Sequence, residues 1–284
     1  MARTQYNLEK RGGTTIWISS GYTDPVFVTL LADADRLFDA AGCQVIKDQK
    51  KIKIGRLTLT VAGEQRSLYV KRYNSFSLRS RLLSPFLKSG ALRSLRGADV
   101  LHAGRIATAK PVAAVERRFC GMLRNSFFIS EEIPGGKTVD ASWLESLREG
   151  KDRGAFKRRR ALLRRLAVLF HSLHTQQIYH DDLKDANILV VSNGGEESVE
   201  CFLLDLQGVR QCARLSERRR MKNLVQLYRT LGRHISRSRQ AFFLKCYLGR
   251  SFADSKRKRS LIDGVLKRAK SVDRIKARVQ RAKN

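Results

Sequence analysis

The sequence predicts an α+β chain of two lobes, a small strand-rich one followed by a larger helical one, within 284 residues. Three observations predict it. Apolar residues alternate with period two in the stretches before Pro134. From Val139 onward they recur every three or four residues. The two patterns are segregated rather than interleaved, which excludes the alternating βαβ order of a parallel sheet. The boundary falls at Pro134-Gly135-Gly136, so the expected organisation is a first lobe over 1–134, a second over 135–250 and a basic C-terminal helix over 251–284.

The elements follow in order. "CQVIKDQKKIKIG" has two short apolar runs around a polar turn. In "RLTLTVAGEQRSLYVKRY", Leu57, Leu59 and Val61 alternate on one side of "AGEQ", and Leu68 and Val70 on the other, which is a hairpin pattern. "RSRLLSPFLKSGALRSLRGADVLHAG" predicts a helix in two pieces, the second ending near Gly104. "RRFCGMLRNSFFISEEIPGG" predicts two more strands and a glycine-marked exit. "RALLRRLAVLFHSLHTQQI" places Leu162, Leu163, Leu166, Leu169, Phe170 and Leu173 on one helical face. "ESVECFLLDLQGV" predicts a further strand, and "RRRMKNLVQLYRTLGRHI" and "SRQAFFLKCYLG" predict helices. No internal repeat is visible.

Composition bounds the chemistry. Hydrophobic residues make up 42% of the chain, enough for a globular core. The five cysteines are scattered and never form a CxxC pair, so neither a disulfide framework nor a zinc site is suggested. The N-terminus carries no apolar signal-like stretch, and no apolar run approaches the ~20 residues that span a bilayer. The expected location is therefore cytoplasmic, or on a membrane from its cytosolic side. The formal charge of +31 predicts attraction to polyanions: nucleic acid, anionic lipid or phosphorylated glycolipid.

The segment "IYHDDLKDANILV", Ile178 to Val190, carries the chemistry. "HDDLKDAN" fits the catalytic-loop pattern H-x-D-L-x-x-x-N of protein kinases. His180 opens it, Asp182 takes the catalytic-base position and Asn187 takes a metal position. A carboxylate must reach the acceptor hydroxyl, while an amide oxygen a turn away suits Mg²⁺ or Mn²⁺ beside phosphates. Lys184 lies between them, placed to steady the transferring phosphoryl group. Asp205, ending the apolar run "CFLLD", supplies a second metal ligand, with Gln207 where the kinase pattern has glycine. Lys71 in "SLYVKRY" has the strand alternation expected of a phosphate-pairing lysine.

Plainer readings exist for each. Asp182, Asn187 and Asp205 could be turn residues bonding their own backbone. Lys71 could be a snorkelling edge-strand lysine. His180 reads as a brace of the loop and His174 as a packed helix-end residue; His171, His174 and His180 lack the spacing of a zinc site. The co-occurrence in order of Lys71, the loop and Asp205 favours the catalytic reading.

With these residues in view, the chain resembles the lipopolysaccharide core kinases, the Kdo/heptose kinase family with a bilobal protein-kinase-like fold. "YVKRY", "GRIATAKPVAAVE", "LHTQQIYHDDLKDANILV" and "FLLDLQGVR" carry the resemblance, over roughly residues 40–250. It implies ATP-dependent phosphate transfer, with Mg²⁺ or Mn²⁺, to a sugar hydroxyl of the lipopolysaccharide inner core. It further implies action at the cytosolic face of the inner membrane, peripheral to an anionic surface. "SFFISEEIPGG" stands where such a fold reads adenine, through backbone groups of Glu131, Glu132 and Ile133. No GxGxxG precedes Lys71, so the turn "KDQKK" would cover the phosphates with backbone N–H groups and lysines. The acidic partner of Lys71 would be Asp99, or else come from elsewhere, with Glu116 as a candidate. Two other readings share the motifs: an atypical protein Ser/Thr kinase, and a non-catalytic kinase-shaped protein bound to a polyanion. Nucleic acid is the least favoured partner.

In the C-terminal segment, Ile262, Val265, Ala269, Val272, Ile275 and Val279 recur every three or four residues among basic ones. A helix docked on the second lobe and a basic amphipathic helix at an anionic interface both fit that pattern.

Overall fold

The computed structural model describes residues 6–74, 84–148, 153–192 and 198–281. The chain divides into two compact units. Residues 1–133 form the first, together with Asp205–Val209; residues 134–204 and 210–284 form the second, which includes the C-terminal helix.

The first unit is built on a seven-stranded antiparallel sheet in the order β1-β2-β6-β7-β5-β4-β3. Its strands are β1 (Tyr6–Arg11), β2 (Thr14–Ser19), β3 (Gln44–Gln49), β4 (Ile52–Val61), β5 (Glu64–Asn74), β6 (Pro111–Phe119) and β7 (Met122–Glu131). The β4–β5 hairpin closes through Ala62 and Gly63, both with positive φ, which is the twist a two-residue hairpin turn requires. Leu57, Val61, Leu68 and Val70 are buried on one face, as their alternation demands.

Sequence patterning did not single out β1, β2 or the helix α1 (Pro25–Ala32). The helix α1 starts at Asp24, whose carboxylate accepts the Phe27 N–H at 2.9 Å. Its Phe27, Val28 and Leu31 join Ile16, Ile18, Phe127 and Ile129 in one core. The second expected helical piece is α2 (Gly90–Ala103), capped by Ser89, whose hydroxyl accepts the Leu92 N–H. The first piece begins at Arg79, outside the described residues.

The second unit is mostly helical: α3 (Val139–Arg148), α4 (Arg153–Thr175), α5 (Glu217–Thr230), α6 (Arg237–Leu248) and α7 (Ser255–Arg281). In α4 the expected stripe from Leu162 to Leu173 is buried. The strands β8 (Lys137–Thr138), β9 (Ile178–His180), β10 (Ile188–Ser192) and β11 (Val199–Leu203) interrupt the helical pattern. Short β10 follows the loop over 181–187, pairing with β11 on one side and β8 on the other.

The helix α7 docks on α5. Ala269 is buried, and Leu261 and Val265 pack with it against Met221 and Val225. Gly264 lets the helices close up: a Cβ there would meet the Met221 methyl at 2.9 Å. Asp273 takes Arg229 and Arg233 at 2.7 and 2.8 Å. The expected apolar stripe therefore splits. Its middle is engaged with α5, while Ile275 and Val279 are exposed.

Candidate active site

In the first unit, Lys71 lies on β5 between β4 and β7, opposite Ile54 and Phe128. Its ammonium donates to Asp205 Oδ1 at 2.7 Å, and both side chains are largely buried. The acidic partner is therefore neither of the candidates expected from sequence. Asp99 accepts the Tyr6 hydroxyl at 3.1 Å, and Glu116 pairs with Arg118 at 2.9 Å. Lys71 is also 5.1 Å from the centre of the Tyr73 ring. Burial alone would lower the lysine pKa, but Tyr73 and Asp205 outweigh it and hold it above the usual lysine range.

Two glycines of α2 make this pairing possible. A Cβ on Gly90 would sit 2.6 Å from the Tyr73 ring, and one on Gly97 would sit 2.2 Å from the Leu206 carbonyl oxygen. The helix thus lies directly on the chain segment that follows Asp205. The Tyr73 hydroxyl pairs with Ser94 on the same helix at 2.8 Å. Asp205 itself has φ near 55°, a left-handed conformation that Asp tolerates better than most residues.

The expected phosphate turn is the β3–β4 connection, where Lys50 and Lys51 are exposed. It is tied down by Asn74, which donates its N–H to Lys51 O and its side-chain amide to Lys50 O.

The expected adenine-reading stretch is more restricted than the sequence implied. Glu131 N–H is committed to Lys110 O, and Glu132 N–H to Ser67 O. Their carboxylates are committed too: Glu131 takes Tyr22 at 2.5 Å and Lys110 at 3.0 Å, and Glu132 takes Arg56 at 2.9 Å. Burial would raise the Glu131 pKa, but these donors bring it below the usual range. Ile133 N–H makes no hydrogen bond among the described residues, which leaves it as the donor of the three.

In the second unit, the loop over 181–187 closes on one carboxylate. Asp182 Oδ2 accepts Lys184 Nζ at 2.7 Å and Asn187 Nδ2 at 3.0 Å. Asn187 Nδ2 also donates to Asp182 O at 2.8 Å, which turns the Asn187 amide oxygen away from the loop. His180 is buried. Its Nδ1 accepts the Asp182 N–H, so its Nε2 carries the proton and donates to Leu204 O at 2.9 Å. Leu204 N–H donates in turn to Asn187 O. The loop and the residue preceding Asp205 are thereby bonded at two points. Asp181 is engaged by Lys222 at 2.7 Å and by the Tyr179 hydroxyl, which hold its carboxyl below the usual range.

His174 is buried, bonded to the Tyr247 hydroxyl at 2.8 Å and facing Asn223 Oδ1 at 3.4 Å. Burial pushes its pKa down to about 4. It is packed among these partners, as a buried helix-end residue.

Asn187 Oδ1 in the second unit and Asp205 Oδ2 in the first accept no hydrogen bond from any described residue, and each is an oxygen of the kind hard divalent cations take as ligands.

Residues 41–247 match the model of the lipopolysaccharide kinase (Kdo/WaaP) family. Among solved structures, the chain is similar to "WaaP in complex with acyl carrier protein", with a TM-score of 0.65 and 18% identity, over 87% of this chain and 97% of that one. It is also similar to the BubR1 kinase domain at a TM-score of 0.39 and 11% identity, over 74% and 52% of the two chains. No curated protein sequence matches.

Proposed function

Because the chain belongs to the lipopolysaccharide kinase (Kdo/WaaP) family and shares the fold of the WaaP structure, we propose that it transfers phosphate from ATP to a sugar hydroxyl, Kdo or heptose, of the inner core. The observation that carries this reading is the loop carboxylate of Asp182, oriented by Lys184 and Asn187 as a proton acceptor.

In this reading Asp182 takes the proton of the acceptor hydroxyl. Its Oδ2 is occupied by Lys184 and Asn187, so Oδ1 receives that proton. Lys184 stands beside it with an ammonium for the charge that develops on the transferred group. Lys71, held charged by Asp205, pairs with the nucleotide phosphates. Asn187 and Asp205 would hold Mg²⁺ or Mn²⁺, and the cation would supply charge neutralisation at the phosphates. Ile133 N–H reads the base, the carboxylates of Glu131 and Glu132 being spent on structural pairs.

In this reading the enzyme works on a lipid-linked acceptor at the cytosolic face of the inner membrane. No helix of the described residues is long and apolar enough to cross a membrane. Peripheral attachment to an anionic surface is supported by α7, where Lys267, Lys270, Arg274, Arg278 and Arg281 share one exposed side at helical spacing. The similar WaaP structure holds an acyl carrier protein, and co-elution with such a protein tests whether this chain takes a partner of that kind. The reading as a whole is tested by mass spectrometry of core oligosaccharide from cells with and without the protein. Loss of one phosphate from an inner-core sugar is expected; an unchanged core would reject it.

A further inference from the structure

The loop that carries Asp182 is gripped from α5 by a side chain that no motif includes. Gln226 Nε2 donates to Asp181 O at 3.0 Å and faces Asp182 Oδ1 at 3.4 Å. Its Oε1 accepts the Leu183 N–H at 3.2 Å. One amide therefore touches three successive residues of the loop, and both of its ends are matched: donors meet a carbonyl and a carboxylate, and the acceptor meets an N–H.

Gln226 is itself held. Fully buried Asn223, one turn earlier, donates to Gln226 Oε1 at 3.2 Å and to His180 O at 2.6 Å. Asn223 Oδ1 is in turn faced by His174 on α4, which bonds Tyr247 on α6. Polar groups from three helices thus converge behind the loop and end at Gln226. A packed helix has no structural need for a buried amide at 223 or a half-buried one at 226, and Asn223 would be costly to bury unless its bonds were made.

We propose that Gln226 is a positioning residue for phosphate transfer, aiming Asp182 Oδ1 by holding the peptides on either side of it and offering that oxygen an N–H. The inference rests on the kinase reading of Asp182. Lys184 and Asn187 fix one carboxylate oxygen from within the loop, and Gln226 fixes the other from outside it. A 3.4 Å separation suits an oxygen that must accept a proton in the reaction, since catalytic hydrogen bonds are commonly long before substrate binds.

The test compares Gln226→Glu and Gln226→Met with the wild-type full chain, using ATP, Mg²⁺ and purified inner-core lipopolysaccharide. In Gln226→Glu the acceptor for Leu183 N–H remains, but a carboxylate faces Asp182. That carboxylate repels Asp182 Oδ1, where the amide offers it an N–H.

The expected result is a kcat lowered about 10–100-fold in both variants with the KM for ATP little changed. A purely structural role would lower kcat only in step with a lower unfolding midpoint. Normal kcat in both variants, or a loss matched by unfolding at the assay temperature, overturns the proposal. Should the variants not fold, hydrogen exchange of the wild-type Leu183 amide decides: protection is expected, and exchange at the rate of an unbonded loop amide overturns it. Absence of phosphate transfer in the wild type would instead reject the kinase reading, while Leu183 protection still reports the grip.

Discussion

Replacing Gly97 by Ala is expected to damage both stability and turnover, although the same change in a free helix stabilises by about 1 kcal/mol. The reason is local. The added Cβ would lie 2.2 Å from Leu206 O and 3.1 Å from Leu206 C, where ordinary contact begins near 3.4 Å. The obstacle is backbone, so no rotamer change relieves it, and α2 must part from the Asp205–Val209 segment by about 1 Å. Overpacking of that kind costs about 1–3 kcal/mol. The same displacement pulls on Asp205, which is 2.7 Å from Lys71. A misplacement of about 1 Å in catalytic machinery lowers turnover about 10²-fold.

Urea denaturation gives the first quantity, read as a lower midpoint at unchanged slope. Steady-state ATP turnover with Mg²⁺ gives the second. Arg96→Ala, on the exposed side of the same helix, is the control and should fall within about 0.5 kcal/mol of wild type. A Gly97→Ala protein as stable as wild type, with normal turnover, would refute the argument that this close approach sets the Lys71–Asp205 pair.

Other outcomes follow from the same structure. Asp205→Ala should abolish the gain in ATP affinity on adding Mg²⁺, measured by calorimetry; tight metal-dependent binding in that variant would remove Asp205 from the metal site. Because burial holds the His174 pKa at about 4 against an ordinary 6.5, the unfolded chain binds a proton that the folded one refuses. Stability should therefore fall as pH drops from about 6.5 towards 4, by about 3 kcal/mol in all, and urea titrations of His174→Gln should show that dependence flattened. Truncation after Asp254 should lower the unfolding midpoint by uncovering Met221 and Val225. It should also weaken salt-sensitive binding to anionic vesicles; equal binding of both chains would move attachment away from α7.

What was legible in the sequence is mostly what is local. Asp182, Lys184 and Asn187 lie within six residues, so their spacing alone brings them to one carboxylate. The long stripe of α4 and the alternation of β4 and β5 were legible for the same reason: burial on one face imposes a period. The partner of Lys71 was not legible, because Asp205 lies 134 residues away and only the packing of α2 brings the two together. Gly90, Ser94 and Gly97 form a stripe of small residues at helical spacing, which could have flagged a close approach. The strand β1 carries little apolar alternation because it is the edge strand and almost wholly solvated; β2 shows only the short pair Ile16 and Ile18, both buried. Gln226 was invisible because a single polar residue in a helix reads as solvated unless its partners are known.

The central claim is that the Asp182 carboxylate takes the acceptor proton during phosphate transfer from ATP. It is tested most directly by following labelled γ-phosphate from ATP–Mg²⁺ into purified inner-core lipopolysaccharide with wild type and Asp182→Asn. The account predicts transfer by the wild type and a loss of at least about 10²-fold in kcat for the variant, with ATP affinity and unfolding midpoint nearly unchanged. Transfer by Asp182→Asn at the wild-type rate would contradict it.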